Sequence, residues 1–182
     1  MINAGISLVP EDRLGMGLIP SLNVYENIML KSFRKCPIGY GPFLRLSEVK
    51  RNARELVESY AVKAPKMDAP VKKLSGGNQQ RLLLAREISS NPKVIIASQP
   101  IRGIDVQAIM EIHRLLLEQR SNGVAIMLIS DDLDEIFEIS DRIAVIYEGR
   151  IVGSMNTGEA EKEKIGLMMA GYRHAGEESK CG

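Results

Sequence analysis

The chain has 182 residues, of which 45% are hydrophobic and 26% charged, the composition of a globular protein large enough for one good core. Its formal net charge of +1 gives no electrostatic reason to bind nucleic acid, so we expect no nucleic-acid partner. With only two histidines and two distant cysteines, Cys36 and Cys181, the sequence cannot assemble a zinc site. It has neither a signal peptide nor a run of ~18–20 consecutive apolar residues, so we expect no direct membrane insertion.

The first half of the chain mixes short regular elements with loops. An apolar run at 6–9, stopped by Pro10, predicts a strand that leads into a polar, glycine-bearing loop. A short helix is expected at 25–30. A serine start and apolar residues at helical spacing predict an amphipathic helix at 47–60. Prolines and glycines interrupt the pattern at 36–43.

The second half alternates more regularly between helix and strand. Six elements are expected in this order: a helix at 77–89, a buried strand at 94–97, a helix at 105–119, a buried strand at 124–129, a helix at 133–139 and a strand at 143–147. Glu148-Gly149 is a tight-turn signal that makes 151–153 a hairpin partner of the preceding strand. The alternation predicts an α/β domain with a largely parallel sheet.

The most specific feature is the string Leu74-Ser75-Gly76-Gly77-Asn78-Gln79. Adjacent glycines at the start of a helix let backbone N–H groups approach an anion closely, and the helix dipole and a serine hydroxyl add to the attraction. The structural alternative is a glycine turn with a serine cap. The extended string, followed by Arg81 and then a proline-led apolar strand, favours a functional site.

This string resembles the signature motif of ABC-type ATPases, in the form seen in sugar and nucleoside importers. Residues 9–13 resemble the Q-loop region of that family, and residues 94–106 resemble its Walker B strand, catalytic glutamate position and D-loop. The resemblance extends over roughly residues 5–155 and points to the second nucleotide-binding half of an importer ATPase in which two halves are fused. It implies a partial P-loop NTPase (RecA-like) core with a parallel sheet, plus an inserted α-helical ABC subdomain.

On this resemblance the chain divides into four parts. They are a core strand and Q-loop region at 1–19, a helical subdomain with the signature at 20–90, the C-terminal part of the core at 91–170 and a flexible tail at 171–182. The helical part is where such ATPases receive a permease subunit. Tyr25, Ile28 and Met29 are candidate groove residues there, or are buried inside the subdomain.

Several departures from the family pattern concern the hydrolytic side of the site. No G-x-x-x-x-G-K-[ST] phosphate-binding loop occurs in the chain, and we expect it upstream of Met1. Ser98 and Gln99 replace the family's Asp-Glu pair, so one position lacks a charge for Mg²⁺ and the other cannot act as a general base. Asp131 stands at the switch-histidine position, and Glu11 at the usual Q-loop glutamine.

The resemblance therefore implies a half-site donor that is inactive alone. Residues 75–79 would contact ATP shared with a partner half, and that half would hold the Mg²⁺. The implied partners are another ABC nucleotide-binding half and transmembrane permease subunits, with a cytoplasmic location peripheral to the inner membrane.

Asp105 is the D-loop aspartate by resemblance and also a candidate N-cap, and Arg102 is a candidate interface contact or a solvated loop residue. The acidic cluster at 131–135 either holds a cation or caps the next helix.

Two alternative functions compete with this interpretation. A DNA-repair type of ABC ATPase also uses the signature, but it needs long heptad arms or zinc hooks, which this sequence lacks. The second alternative is a non-catalytic, truncated fragment that acts only by association with other chains. Exposed core surface in the isolated chain would favour that second alternative.

Overall fold

The structure, a computed structural model, describes residues 4–32, 39–40, 43–64 and 66–172. These residues divide between two compact units, Met1–Ile129 and Ser130–Gly182. The helices and strands are β1 (Ile6–Val9), α1 (Val24–Met29), β2 (Gly39–Tyr40), β3 (Phe43–Leu44), α2 (Leu46–Ser59), α3 (Gly76–Ile88), β4 (Val94–Ser98), α4 (Val106–Ser121), β5 (Ala125–Ile129), α5 (Leu133–Ile139), β6 (Arg142–Tyr147), β7 (Arg150–Asn156) and α6 (Lys162–Met169).

A parallel sheet in the order β1-β4-β5 forms the centre of the first unit. Its register places Val9 beside Ala97 and Ala97 beside Leu128. Val9, Ile95 and Ala97 are fully buried on one face, where α3 packs against β1 and α4 packs against β5. The predicted α/β fold with a parallel sheet is confirmed.

The opposite face of this sheet is exposed, so the buried strands predicted at 94–97 and 124–129 are covered on one face only. Leu8 is 36% exposed, Met127 53% and Ile129 44%, and these residues alternate along their strands with the covered ones. Within the described residues of the first unit, helices pack against one face of the sheet. A strand with one open face alternates in burial although its sequence is apolar throughout.

Helix α3 is the central helix of the first unit. Leu82, Leu83 and Leu84 are all fully buried, since α1, α2, α4 and β1 pack around the helix. Polar residues of the helix are buried as well, among them Gln80 and Glu87, because other elements surround it. Its N-terminal end, which carries the signature string, is therefore held on a well-packed support.

Helix α1 is fixed by a capping box and one buried amide. The Asn23 side chain accepts from the Glu26 N–H at 3.0 Å, while the Glu26 carboxylate accepts from the Asn23 N–H at 2.8 Å. Asn27 is fully buried, and its amide nitrogen donates to three main-chain carbonyls. Tyr25 and Ile28 are also buried, in agreement with the interpretation that places them inside the subdomain.

In the second unit, β6 pairs with β7 in an antiparallel hairpin. Glu148 and Gly149 both have positive φ, 46° and 75°, as the predicted two-residue turn requires. The strand predicted at 143–147 therefore belongs to a separate two-stranded sheet and not to the parallel sheet. Ile143 and Val145 form a small core with Ile165 of α6, a helix that the sequence pattern did not reveal.

The remaining element predictions agree with the structure to within about two residues, and α5 matches its predicted bounds. The short β2–β3 ladder lies where prolines and glycines had suggested only irregular chain. The proposed four-part division stays a prediction, and most of its flexible tail, 171–182, lies outside the described residues, as does Cys36.

No helix in the described part of the chain has the length and apolar character to cross a membrane.

Candidate functional site

The signature string forms the start of α3 with its serine at the N-cap. Ser75 is exposed and has extended backbone angles, φ −64° and ψ 157°. In the described structure its side chain makes no capping hydrogen bond to the helix. The N–H groups of Gly76, Gly77 and Asn78 have no partner within the helix either, because the first helical N–H group that finds one is that of Gln79, bonded to the Ser75 carbonyl at 2.9 Å. This helix end is thus chemically suited to an anion.

The two polar residues after the glycines have different surroundings. Asn78 is half-buried; its side chain donates to the Ser75 hydroxyl at 2.8 Å and accepts from the Lys63 N–H at 2.8 Å. Gln79 is buried, and its amide donates to the Leu74 carbonyl at 3.0 Å. The Gln79 side chain therefore shapes the turn before the helix, whereas Asn78 orients the serine hydroxyl.

The two glycines also differ. A Cβ atom at Gly76 would lie 3.4 Å from the Gly103 carbonyl oxygen, a tight but tolerable contact. A Cβ atom at Gly77 would lie only 2.7 Å from the Cβ of Ala108 and 3.5 Å from an Asp105 carboxylate oxygen. A side chain at position 76 would thus meet only tolerable contacts, whereas glycine is needed at position 77, where α3 packs against the start of α4.

Asp105 caps α4, as the structural interpretation of this residue expected. Its carboxylate accepts from the Ala108 N–H at 2.9 Å. Because Gly77 lies beside the same carboxylate, the cap of α4 and the start of α3 are neighbours. The proposed second role of Asp105 at a dimer interface stays a prediction.

The loop after β1 reaches the same region. Arg13 donates to the Arg102 carbonyl at 2.9 Å, and the Arg102 guanidinium forms an ion pair with Glu11. The structure therefore brings Glu11, Arg102, Asp105 and the signature residues 75–79 together in one unit. Arg13 is the residue that sequence reasoning missed: it stands in the string that resembles the Q-loop region, but its type and position gave no indication of a contact with a loop about 90 residues later.

The two positions at which the sequence resemblance places a catalytic pair, Ser98 and Gln99, carry no acidic group. Ser98 ends β4 and is half-buried, and Gln99 has a left-handed φ of 48° with its N–H bonded to the Ile129 carbonyl at 2.7 Å. A hydroxyl and an amide side chain do not supply the charged oxygens that Mg²⁺ prefers. Across the described residues, no group of three or more His, Cys, Asp or Glu side chains could hold a metal ion. These residues do not fit a resident magnesium ion.

Asp131 belongs to the second unit and is exposed. Its neighbour Asp132 caps α5 by accepting from the N–H groups of Asp134 and Glu135 at 2.9 and 3.3 Å. This confirms the helix-capping interpretation for the acidic cluster. Asp131 itself remains a candidate only by its place in the sequence.

Comparison with known sequences identifies the family to which these features belong. The family model described as ABC transporter matches residues 1–102. The guanosine import ATP-binding protein NupO of Bacillus subtilis (strain 168) is 45% identical over 168 residues, which are 92% of this chain and 33% of that protein. The nucleoside import ATP-binding protein NupA of Lactococcus lactis subsp. cremoris (strain MG1363) is 44% identical, over 90% of this chain and 32% of the relative. The chain thus spans about a third of the length of the curated relatives it matches.

Solved structures agree on the fold. The dimeric ATP-binding cassette MJ0796 bound to ADP and Pi is 25% identical with a TM-score of 0.69, and the match includes 84% of this chain and 62% of the cassette. The cbiO1 protein of Clostridium perfringens, part of the ABC transporter complex cbiONQ, has a TM-score of 0.65 at 23% identity, over 92% of this chain and 62% of that protein. Because the family match extends over more than half of the 182 residues and includes the signature string, this chain belongs to the ABC transporter family.

Proposed function

We propose that this chain is the energy-coupling, ATP-binding component of an importer for sugars or nucleosides, and that it donates its signature to an ATP site completed by a partner half. The observation that carries the proposal is the start of α3, which combines an exposed serine at the N-cap with N–H groups that are unsatisfied within the helix. In this arrangement Ser75, Gly76 and Asn78 contact a terminal phosphate. Gly77 and Gln79 contribute through the backbone that they shape.

The composition of the chain's own hydrolytic side supports the donor role. Ser98 and Gln99 provide neither a metal ligand with charge nor a general base, so the Mg²⁺ and the attacking water are handled by the partner half. Asp131, at the switch position, is anionic and would repel a γ-phosphate. Alone, the chain is therefore expected to hydrolyse no ATP.

The names of the relatives support the choice of transport class. NupO and NupA are described as guanosine and nucleoside import proteins, and TsgD13 of Haloferax volcanii, 45% identical over 93% of this chain, as a glucose import protein. We extend from these names to transmembrane permease subunits as partners and to a cytoplasmic position, peripheral to the inner membrane. The DNA-repair alternative has no observation in its favour.

The test is Ser75→Arg in the full-length protein assembled with its permease subunits. A bulky cation at the N-cap would occupy the space in front of the helix, and ATP hydrolysis should fall to background. Ser121→Arg is the matched control, because Ser121 is also exposed and ends α4, where a cation is well tolerated. Unchanged turnover in the Ser75 variant would refute the donor role.

One observation favours the second candidate, a chain that acts only through association. The open sheet face with Leu8, Met127 and Ile129 is apolar and continuous across the strands. If association is the function of the isolated chain, sedimentation should show self-association that Met127→Lys abolishes without loss of helical signal. A stable monomer at all concentrations would argue against association through this exposed face.

A further inference from the structure

Arg13 lies where its own loop meets two segments that are distant in sequence. It begins a single π-helical turn, Arg13–Gly17, and its side chain is half-buried. One guanidinium nitrogen donates to the Arg102 carbonyl at 2.9 Å. The other terminal nitrogen lies 3.6 Å from the position that a Cβ of Gly76 would take and 3.7 Å from that of Gly103. A single side chain therefore joins the loop after β1, the loop after β4 and the start of α3.

The turn that carries Arg13 is rigidly built. The Asp12 carboxylate accepts from the N–H groups of Leu14 and Gly15 at 3.2 and 2.8 Å. The Leu18 N–H closes the turn on the Arg13 carbonyl at 2.6 Å, and Leu18 itself is buried. Arg13 is thus presented from a backbone that is already fixed by hydrogen bonds.

The nearby ion pair is a different kind of contact. Arg102 and Glu11 have side chains that are 64% and 48% exposed, and pairs so accessible to water contribute little. The Arg13 bond is also exposed, but it is directed at a main-chain oxygen and does not depend on which residue stands at position 102. A charged donor to a carbonyl is also stronger than a neutral one.

We infer that Arg13 is a positioning residue that holds the 100–105 loop against the start of α3. The Gly103 carbonyl lies at the Gly76 backbone, and Asp105 lies at Gly77, so a shift of this loop changes the surroundings of both glycines. The contact itself is independent of what the chain does. Its consequence, that Arg13 sets the geometry of the signature toward a shared nucleotide, rests on the proposed function.

Amide hydrogen exchange on the chain tests the contact. Arg13→Gln should accelerate exchange of the Arg102 and Ala108 amides, which are bonded within this loop and its helix cap, by about tenfold. Arg102→Ala keeps the carbonyl acceptor but removes the ion pair, and should leave both amides near their original rates. The Val49 amide of α2, bonded to Arg45, is the internal reference and should not change.

Three results would overturn the inference: unchanged exchange in Arg13→Gln, equal acceleration in Arg102→Ala, or equal acceleration at Val49, which would indicate general destabilisation. The functional step is measured in the full-length assembly, where Arg13→Gln should lower kcat for ATP about tenfold with little change in KM, and Arg13→Lys should restore part of it. If Ser75→Arg abolishes turnover but Arg13→Gln does not change it, only this inference fails. If Ser75→Arg has no effect, the proposed function fails, and the exchange result still decides the contact.

Discussion

Gly77 lies so close to Ala108 that a Cβ atom on residue 77 would be 2.7 Å from the alanine Cβ. Contacts under about 3.0 Å are essentially never seen for real Cβ atoms, so the Gly77 backbone packs directly against the Ala108 methyl group. The two glycines of the signature therefore differ in their steric requirements. Gly77 is needed for the packing of α3 against α4, whereas a methyl group at Gly76 would meet the Gly103 carbonyl at 3.4 Å.

We expect Gly77→Ala to destabilise the chain by about 1–3 kcal/mol, because the extra methyl group must force α3 and α4 apart. Removing the opposing methyl group in Gly77→Ala/Ala108→Gly should recover part of that loss, although glycine within a helix costs about 1 kcal/mol. Gly76→Ala, with 3.4 Å available, should be milder. Urea unfolding followed by circular dichroism measures all three, and a neutral Gly77→Ala would show that the helices can separate freely.

The second prediction concerns Glu87 on α3, which is 1% exposed and lies between two cations. Its carboxylate accepts from Arg86 at 3.0 and 3.1 Å and pairs with the Lys31 ammonium group, while Arg86 also reaches the Gly17 carbonyl at 2.9 Å. Glu87→Ala would leave buried positive charge without a counter-charge, and we expect a loss of about 3–5 kcal/mol in the free energy of unfolding.

Glu55→Ala on α2 is the matched control for that variant. Glu55 is paired with Arg51 at 3.7 Å, but both side chains are about two-thirds exposed, and such pairs contribute about 0–1 kcal/mol. Similar losses in the two variants, measured by the same urea titration, would mean that the buried network is not a stabilising feature. The comparison also tests whether α3 is fixed to the loop after β1 by charge as well as by apolar packing.

Sequence patterns located most elements here because the signals were local. Asp132, with its acidic neighbours, marked the start of α5, and Glu148-Gly149 marked the hairpin turn. Contacts between distant segments were not predictable in the same way. The Arg13 bond to Arg102 depends on how two loops meet after folding, and the open sheet face depends on which elements cover it, so neither leaves a periodic trace in the sequence.

The third prediction separates two roles of Asp105. Asp105→Ala removes the cap of α4 and should cost about 1 kcal/mol, whereas Asp105→Asn keeps a capping oxygen and should be nearly as stable as the original chain. If the carboxylate also acts at an interface, Asp105→Asn should weaken nucleotide-dependent association of the two halves in the full-length assembly. Analytical ultracentrifugation with ATP analogues measures this. Full association in the Asn variant would limit Asp105 to its structural role.

The last prediction is a pH dependence that originates at Tyr60, which follows α2. Burial raises the pKa of its phenol, and the negative charge of Glu118 raises it further. In the unfolded chain a tyrosine loses its proton near pH 10, whereas in the folded chain Tyr60 keeps its proton to a higher pH. The stabilisation from this group is thus fully present below about pH 10 and declines as the pH rises through the folded value.

Stability measured by urea unfolding should therefore fall more steeply in alkaline solution for the original chain than for Tyr60→Phe. Glu118→Gln should move the phenolate absorbance transition of Tyr60 to lower pH. Identical slopes for the original chain and Tyr60→Phe would show that the folded structure does not favour the neutral phenol.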